Sequence, residues 1–140
     1  MFETVVVGAD GSASAAEAVQ QAIDLVKLTG GQLHIVSAYR PQQMKVSGGD
    51  EFARSLDTGE LADSVLADLA SRARSVGVDV KIHGKAGAPA DAICEVAAEV
   101  GADLIIVGNK GMKGVRRVLG SVPNSVAHQA PCSVLIAATT

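Results

Sequence analysis

The chain has 140 residues, 48% of them hydrophobic and 19% charged, with a formal net charge of −3. That apolar content excludes a disordered chain, and the length suits a single domain over residues 1–140 whose core needs no disulfide or metal staple. The acidic balance excludes general attraction to nucleic acid or anionic membrane, and no apolar run reaches the ~20 residues that span a bilayer.

Met1 leads almost directly into Thr4-Val5-Val6-Val7-Gly8, a β-branched run that reads as a strand buried on both faces. A secretory leader is therefore not expected, and the expected compartment is the cytoplasm. Ser12 and Ser14 offer N-caps for an Ala-rich helix whose apolar face runs from Ala18 to Leu28 and stops at Gly30-Gly31. Leu33 to Tyr39 forms a second strand. Arg40 to Thr58 is polar, rich in Gly and Gln, and reads as the longest loop. Leu61, Val65, Leu66, Leu69 and Ala73 then recur at helical spacing up to Gly77.

Val78 to His83 alternate as a third strand. Pro89, after Gly87-Ala88, suits the first turn of a helix carrying Ile93, Val96 and Ala97. Leu104 to Val107 is the fourth strand, and Ser133 to Ala137 the fifth, after a short helix around Val122 to His128. Strands alternating with helices predict an α/β fold: one open parallel five-stranded sheet, Rossmann-like, with helices on both faces. Such sheets take ligands beyond the carboxyl ends of their strands, where the winding reverses. In the order 3-2-1-4-5 the loops after strands one and four are neighbours there.

The second of those loops is unusual. From Val107 to Ser125 the chain holds four glycines, four basic residues and no acidic one. Gly108, Gly111, Gly114 and Gly120 let backbone N–H groups converge, and Gly120-Ser121 opens a helix whose positive end suits a phosphate. The spacing is neither that of a Walker loop nor that of the dinucleotide fingerprint. The same residues also read more plainly, as turn glycines beside solvated Lys110, Lys113, Arg116 and Arg117.

From VVVGADGS, through the GAP before the third helix, to SVLIA, the chain resembles the universal stress protein family over nearly its whole length. In the nucleotide-binding branch of that family the fourth strand is followed by Gly, two residues, Gly, nine residues, then Gly-Ser or Gly-Thr. Gly108, Gly111, Gly120 and Ser121 match those positions, with eight residues rather than nine, Met112 to Leu119, between Gly111 and Gly120. The GSVPNSV segment is similar to small mycobacterial-type members, some of which bind cyclic AMP.

The resemblance implies a stress-response regulatory protein that binds an adenine nucleotide (ATP, AMP or cyclic AMP) with little or no turnover. It implies that Asp10 faces adenine or ribose, that the backbone near Ala38 meets the adenine edge, and that Val107 packs beside it. Gly108, Gly111, Gly120 and Ser121 would hold ribose and phosphates, Lys110, Arg116 and Arg117 could reach phosphates, and Mg2+ could accompany ATP. It also implies a homodimer through Ser133–Ala137, an apolar edge strand without charge or proline.

Other readings stand beside this one. Asp10 before Gly-Ser can simply cap the next helix. A non-nucleotide interaction protein of the same fold is the main alternative, favoured by the shortened spacing. ATP-cleaving relatives carry an SGGxDS loop or a His-x-Gly-His signature, and this chain has neither. A flavin carrier would need aromatic walls that Phe2, Tyr39 and Phe52 hardly supply. No activated nucleophile, carboxylate pair or metal cluster is expected. His34, His83 and His128 are expected to form no constellation, and Cys94 and Cys132 to be reduced core thiols.

Overall fold

The structure, a computed structural model, describes residues 1–10, 13–39, 64, 66–109 and 122–139. Five strands, β1 (Thr4–Gly8), β2 (Gln32–Tyr39), β3 (Asp79–Ala86), β4 (Leu104–Gly108) and β5 (Ser133–Ala137), form one parallel sheet in the order β3-β2-β1-β4-β5. The helices between them are α1 (Ala13–Thr29), α2 (66–75), α3 (Pro89–Val100) and α4 (Val122–Gln129). This is the Rossmann-like α/β topology expected from the alternation of strand and helix patterns.

Successive side chains of a strand point to opposite faces, so the unbroken Val5-Val6-Val7 run must be covered on both. Val5 and Val7 pack with Val19, Ile23 and Val26 of α1 and Leu66 and Leu69 of α2, whereas Val6 packs with Ile93 and Val96 of α3 and Val126 of α4. Two apolar layers thus sandwich the sheet. The core is built largely from Ala, Val, Leu and Ile, which pack without polar atoms to satisfy.

The ends of the elements are set by local chemistry. Gly30 sits at φ +74 and donates its N–H to the Val26 carbonyl at 2.8 Å, closing α1 with a left-handed residue. At the neighbouring Gly31 any Cβ would run into the Glu3 carbonyl, so the chain can cross there only as glycine. Across the sheet, Asp103 accepts the backbone N–H groups of Glu3 at 3.0 Å and Thr4 at 3.2 Å, aligning the starts of β1 and β4.

The structure lengthens β3 most among the strands and corrects one expectation. β3 runs to Ala86 rather than stopping at His83, because Gly84, Lys85 and Ala86 pair with Ser37, Ala38 and Tyr39. An edge strand needs no apolar alternation to hold such pairing, which is why the pattern ended early. The histidines do form a constellation: His34 Nδ1 lies 2.8 Å from His83 Nε2. Parallel register sets Val36 opposite His83, bringing two rings 49 positions apart into contact, while His128 is exposed late in α4.

Candidate ligand cleft at the carboxyl ends of the strands

The order β3-β2-β1-β4-β5 reverses its winding between β1 and β4. Strands on either side of that point send their connections to opposite faces, leaving a crevice beyond their carboxyl ends. A cleft opens there, with β1 and β4 as its floor. Its floor and near wall come from Gly8 at the end of β1, Ala9 and Asp10 after it, and Val107 and Gly108 at the end of β4. Ala15 of α1, Val36 and Ala38 of β2, Pro89 and Ile93 of α3, and Val122 and Pro123 of α4 supply the remaining walls.

Each wall has a local cause. Ala9 donates its N–H to the Val36 carbonyl at 2.9 Å, so β1–β2 pairing continues past Gly8 and delivers Asp10 to the rim. Gly8 lets α3 approach closely, since a Cβ there would lie 2.5 Å from Ile93 Cδ1. Gly87, at φ +123, donates to the Tyr39 carbonyl at 2.8 Å and turns the chain from β3 into α3. Pro89 then starts α3 without a side-chain cap, its ring supplying the φ that a first turn needs.

The cleft therefore has mainly apolar walls, with Asp10 the one ionisable side chain among the described residues that line it. Asp10 is exposed at the rim. A slot of this kind can take a flat apolar ring between its walls while a carboxylate accepts hydrogen bonds from hydroxyl or amine groups. Among the described lining residues no nucleophile stands beside a base. The thiols stand apart from the cleft. Burial pushes both Cys94 and Cys132 above the usual thiol range, with further upward contributions from Asp91 on the first and from Asp103 and Cys94 on the second. Cys94 is buried and Cys132 half-buried, both against the α3–α4 side of the core.

Of the residues singled out from the sequence, Asp10, Ala38, Val107 and Gly108 line this one cleft. Gly111, Gly120, Ser121, Lys110, Arg116 and Arg117 lie outside the described residues, as do Gly114, Lys113 and the Ser12 cap. Sequence reasoning missed Ile93, Pro89, Val122 and Pro123 as walls, having read them only as helix residues. The proline after Gly87-Ala88 was the available signal, since a helix beginning there must start beside the strand ends.

Comparison with known proteins places the chain in a family. Residues 1–138 match the universal stress protein family. The chain belongs to that family. A universal stress protein of Mycobacterium tuberculosis strain H37Rv is 38% identical over 145 residues, which cover 99% of this chain and 98% of that protein. One from Synechocystis is 32% identical over 137 residues, covering 97% of this chain and 85% of that protein. Among solved structures, a universal stress protein in complex with cAMP superposes with a TM-score of 0.79. It is 35% identical, and the match covers 99% of this chain and 98% of that chain. Among the described residues, no helix of this universal stress protein is long and apolar enough to cross a membrane.

Proposed function

We propose that the cleft binds an adenine nucleotide and that the protein acts in the stress response as a regulatory binding protein with little or no turnover. The observation that carries this is the convergence of Asp10, Ala38, Val107 and Gly108 on one cleft at the reversal of the sheet. In this reading the adenine lies between the Ala38 and Val107 walls, and ribose or amine donors meet Asp10. Gly111, Gly120 and Ser121 then hold the phosphates, with Lys110, Arg116 and Arg117 as further phosphate contacts. The cAMP held by a relative of 35% identity supports the nucleotide class. ATP, AMP and cAMP are the candidates, Mg2+ would travel with ATP, and the protein acts in the cytoplasm as one domain over 1–140.

The proposed assembly is a homodimer through β5. That strand has β4 on one side and, among the described residues, no strand on the other, and Leu135 and Ile136 are 41% and 39% exposed. The eight-residue interval between Gly111 and Gly120 favours a second reading, a dimeric interaction protein of the same fold without nucleotide.

Mass spectrometry of the small molecules carried through purification, followed by calorimetric titration with ATP, AMP and cAMP, separates the two. We expect an adenine nucleotide, and expect Gly120→Val to weaken its binding by roughly tenfold or more, since a β-branched side chain obstructs backbone approach to phosphate. A folded Gly120→Val protein with unchanged affinity would move the phosphates elsewhere.

A further inference from the structure

Strand pairing on the β4 side of the cleft ends at Gly108 opposite Ala137. A side chain then takes over. Asn109 Oδ1 accepts two hydrogen bonds from Thr139, one from its backbone N–H at 3.0 Å and one from its hydroxyl at 3.1 Å. A backbone N–H can only donate, so the carboxamide must present its oxygen here, and its orientation follows without choice. Both contacts are partly buried and join positions 30 apart in the chain.

Gly108, the residue before Asn109, lines the cleft, and Thr139 stands two residues beyond the exposed β5 edge. The Asn109–Thr139 contact thus carries the tie between the two strand ends one step past the Gly108–Ala137 pair. We propose that Asn109 is a positioning residue of the cleft: by holding Thr139 it fixes the backbone at Val107 and Gly108 and ties that wall to the tail that follows β5. The site thereby senses its own sheet edge. A partner that orders β5 and the tail steadies the wall, and loss of the tail loosens it. The effect on affinity rests on the nucleotide reading above, whereas the effect on the wall does not.

The test uses the full chain and two readouts, amide hydrogen exchange of the unliganded protein and calorimetric titration with adenosine, whose lack of charge keeps phosphate electrostatics out of the comparison. Asn109→Ala removes the acceptor. It should speed exchange at residues 107–109 while leaving β1 and β2 protected, and weaken adenosine by about tenfold, a loss in keeping with two partly buried hydrogen bonds. Asn109→Asp keeps an oxygen facing both Thr139 donors and should restore slow exchange and adenosine affinity. A chain ending at Ala138 should behave like Asn109→Ala. Unchanged exchange in Asn109→Ala, or an Asn109→Asp protein as loose as Asn109→Ala, overturns the proposal. If the wild type binds no adenosine, the exchange data alone decide: faster exchange in Asn109→Ala reversed in Asn109→Asp upholds the positioning role and leaves only the nucleotide reading in question.

Discussion

His34 is 2% exposed, the one polar side chain among the described buried residues, and its partners dictate its protonation. Gln32 donates its Nε2 to Asp79 Oδ2 at 2.9 Å, which turns its Oε1 to accept from His34 Nε2 at 2.8 Å. A neutral His34 therefore carries its proton on Nε2 and presents a bare Nδ1, to which His83 donates from Nε2. The pair admits one further proton and still keeps the 2.8 Å contact, while a second would set two N–H groups against each other. Burial lowers the affinity of both rings for protons. His83 and Lys81 push His34 further down, Asp79 opposes, and at His83 Glu99 opposes while Lys85 and Lys81 lower it.

The sign of the pH effect follows. Unfolded histidines titrate near 6.5 and the folded pair below that, so between the two the unfolded chain binds more protons and folding weakens as pH falls. Well above about 6.5, where the rings are deprotonated in both states, the pair contributes no slope. We expect the melting temperature to decline on acidification below about 6.5, and the double variant His34→Val with His83→Thr to flatten that part of the curve. An equally steep decline in the double variant would assign the acid sensitivity to other groups.

At the scale of elements, the cleft exists because α3 can lie close against the end of β1. Gly8 makes that approach possible and Ile93 fills it, with 2.5 Å between a Gly8 Cβ position and Ile93 Cδ1. The obstructing atom is the tip of a flexible side chain, not backbone, so Gly8→Ala should fold at a cost of about 1 kcal/mol as Ile93 changes rotamer. Because Ile93 also lines the cleft, the displaced side chain should narrow the slot. Urea unfolding should show the small loss of stability, and calorimetry a loss of nucleotide affinity larger than that stability change implies. Full affinity in a Gly8→Ala protein would mean that the ligand does not lie against the Ile93 wall.

For the whole molecule, the sheet has two edges, and they differ. β3 exposes Asp79 and Lys81 beside Ile82, and the half-buried Lys85 bonds Glu99 of α3 at 2.9 Å, so charge guards that side. β5 carries no charge, is paired on one side only among the described residues, and exposes apolar side chains from both of its faces at Leu135 and Ile136. An edge of that composition favours antiparallel pairing with its own copy about a two-fold axis. Light scattering at micromolar concentration should return the mass of a dimer. Leu135→Pro, which deletes a backbone donor, should shift the population toward monomer where that donor faces the copy. A monomer mass for the wild type would refute the assembly.

What the sequence determined by itself was the order of elements and the end of the sheet where the cleft opens. Runs such as Val5-Val6-Val7 and Leu104–Val107 report burial on both faces directly, and alternation with helices leaves few ways to wind a parallel sheet. Asp10 and Gly108 could be placed at the cleft because each follows such a run, whereas Val107 and Ala38 came from the family resemblance. The tertiary structure decided everything that depends on register and on distant partners. A shift of one residue between β2 and β3 would part His34 from His83, and nothing in either strand's own pattern specifies that pairing. Ile93 reads as one more apolar position on a helix until α3 is laid on Gly8, and Asn109 as one more loop residue until the chain end returns beside it. Local sequence encodes which surfaces must be buried, but the groups that meet across them are fixed only when the layers close.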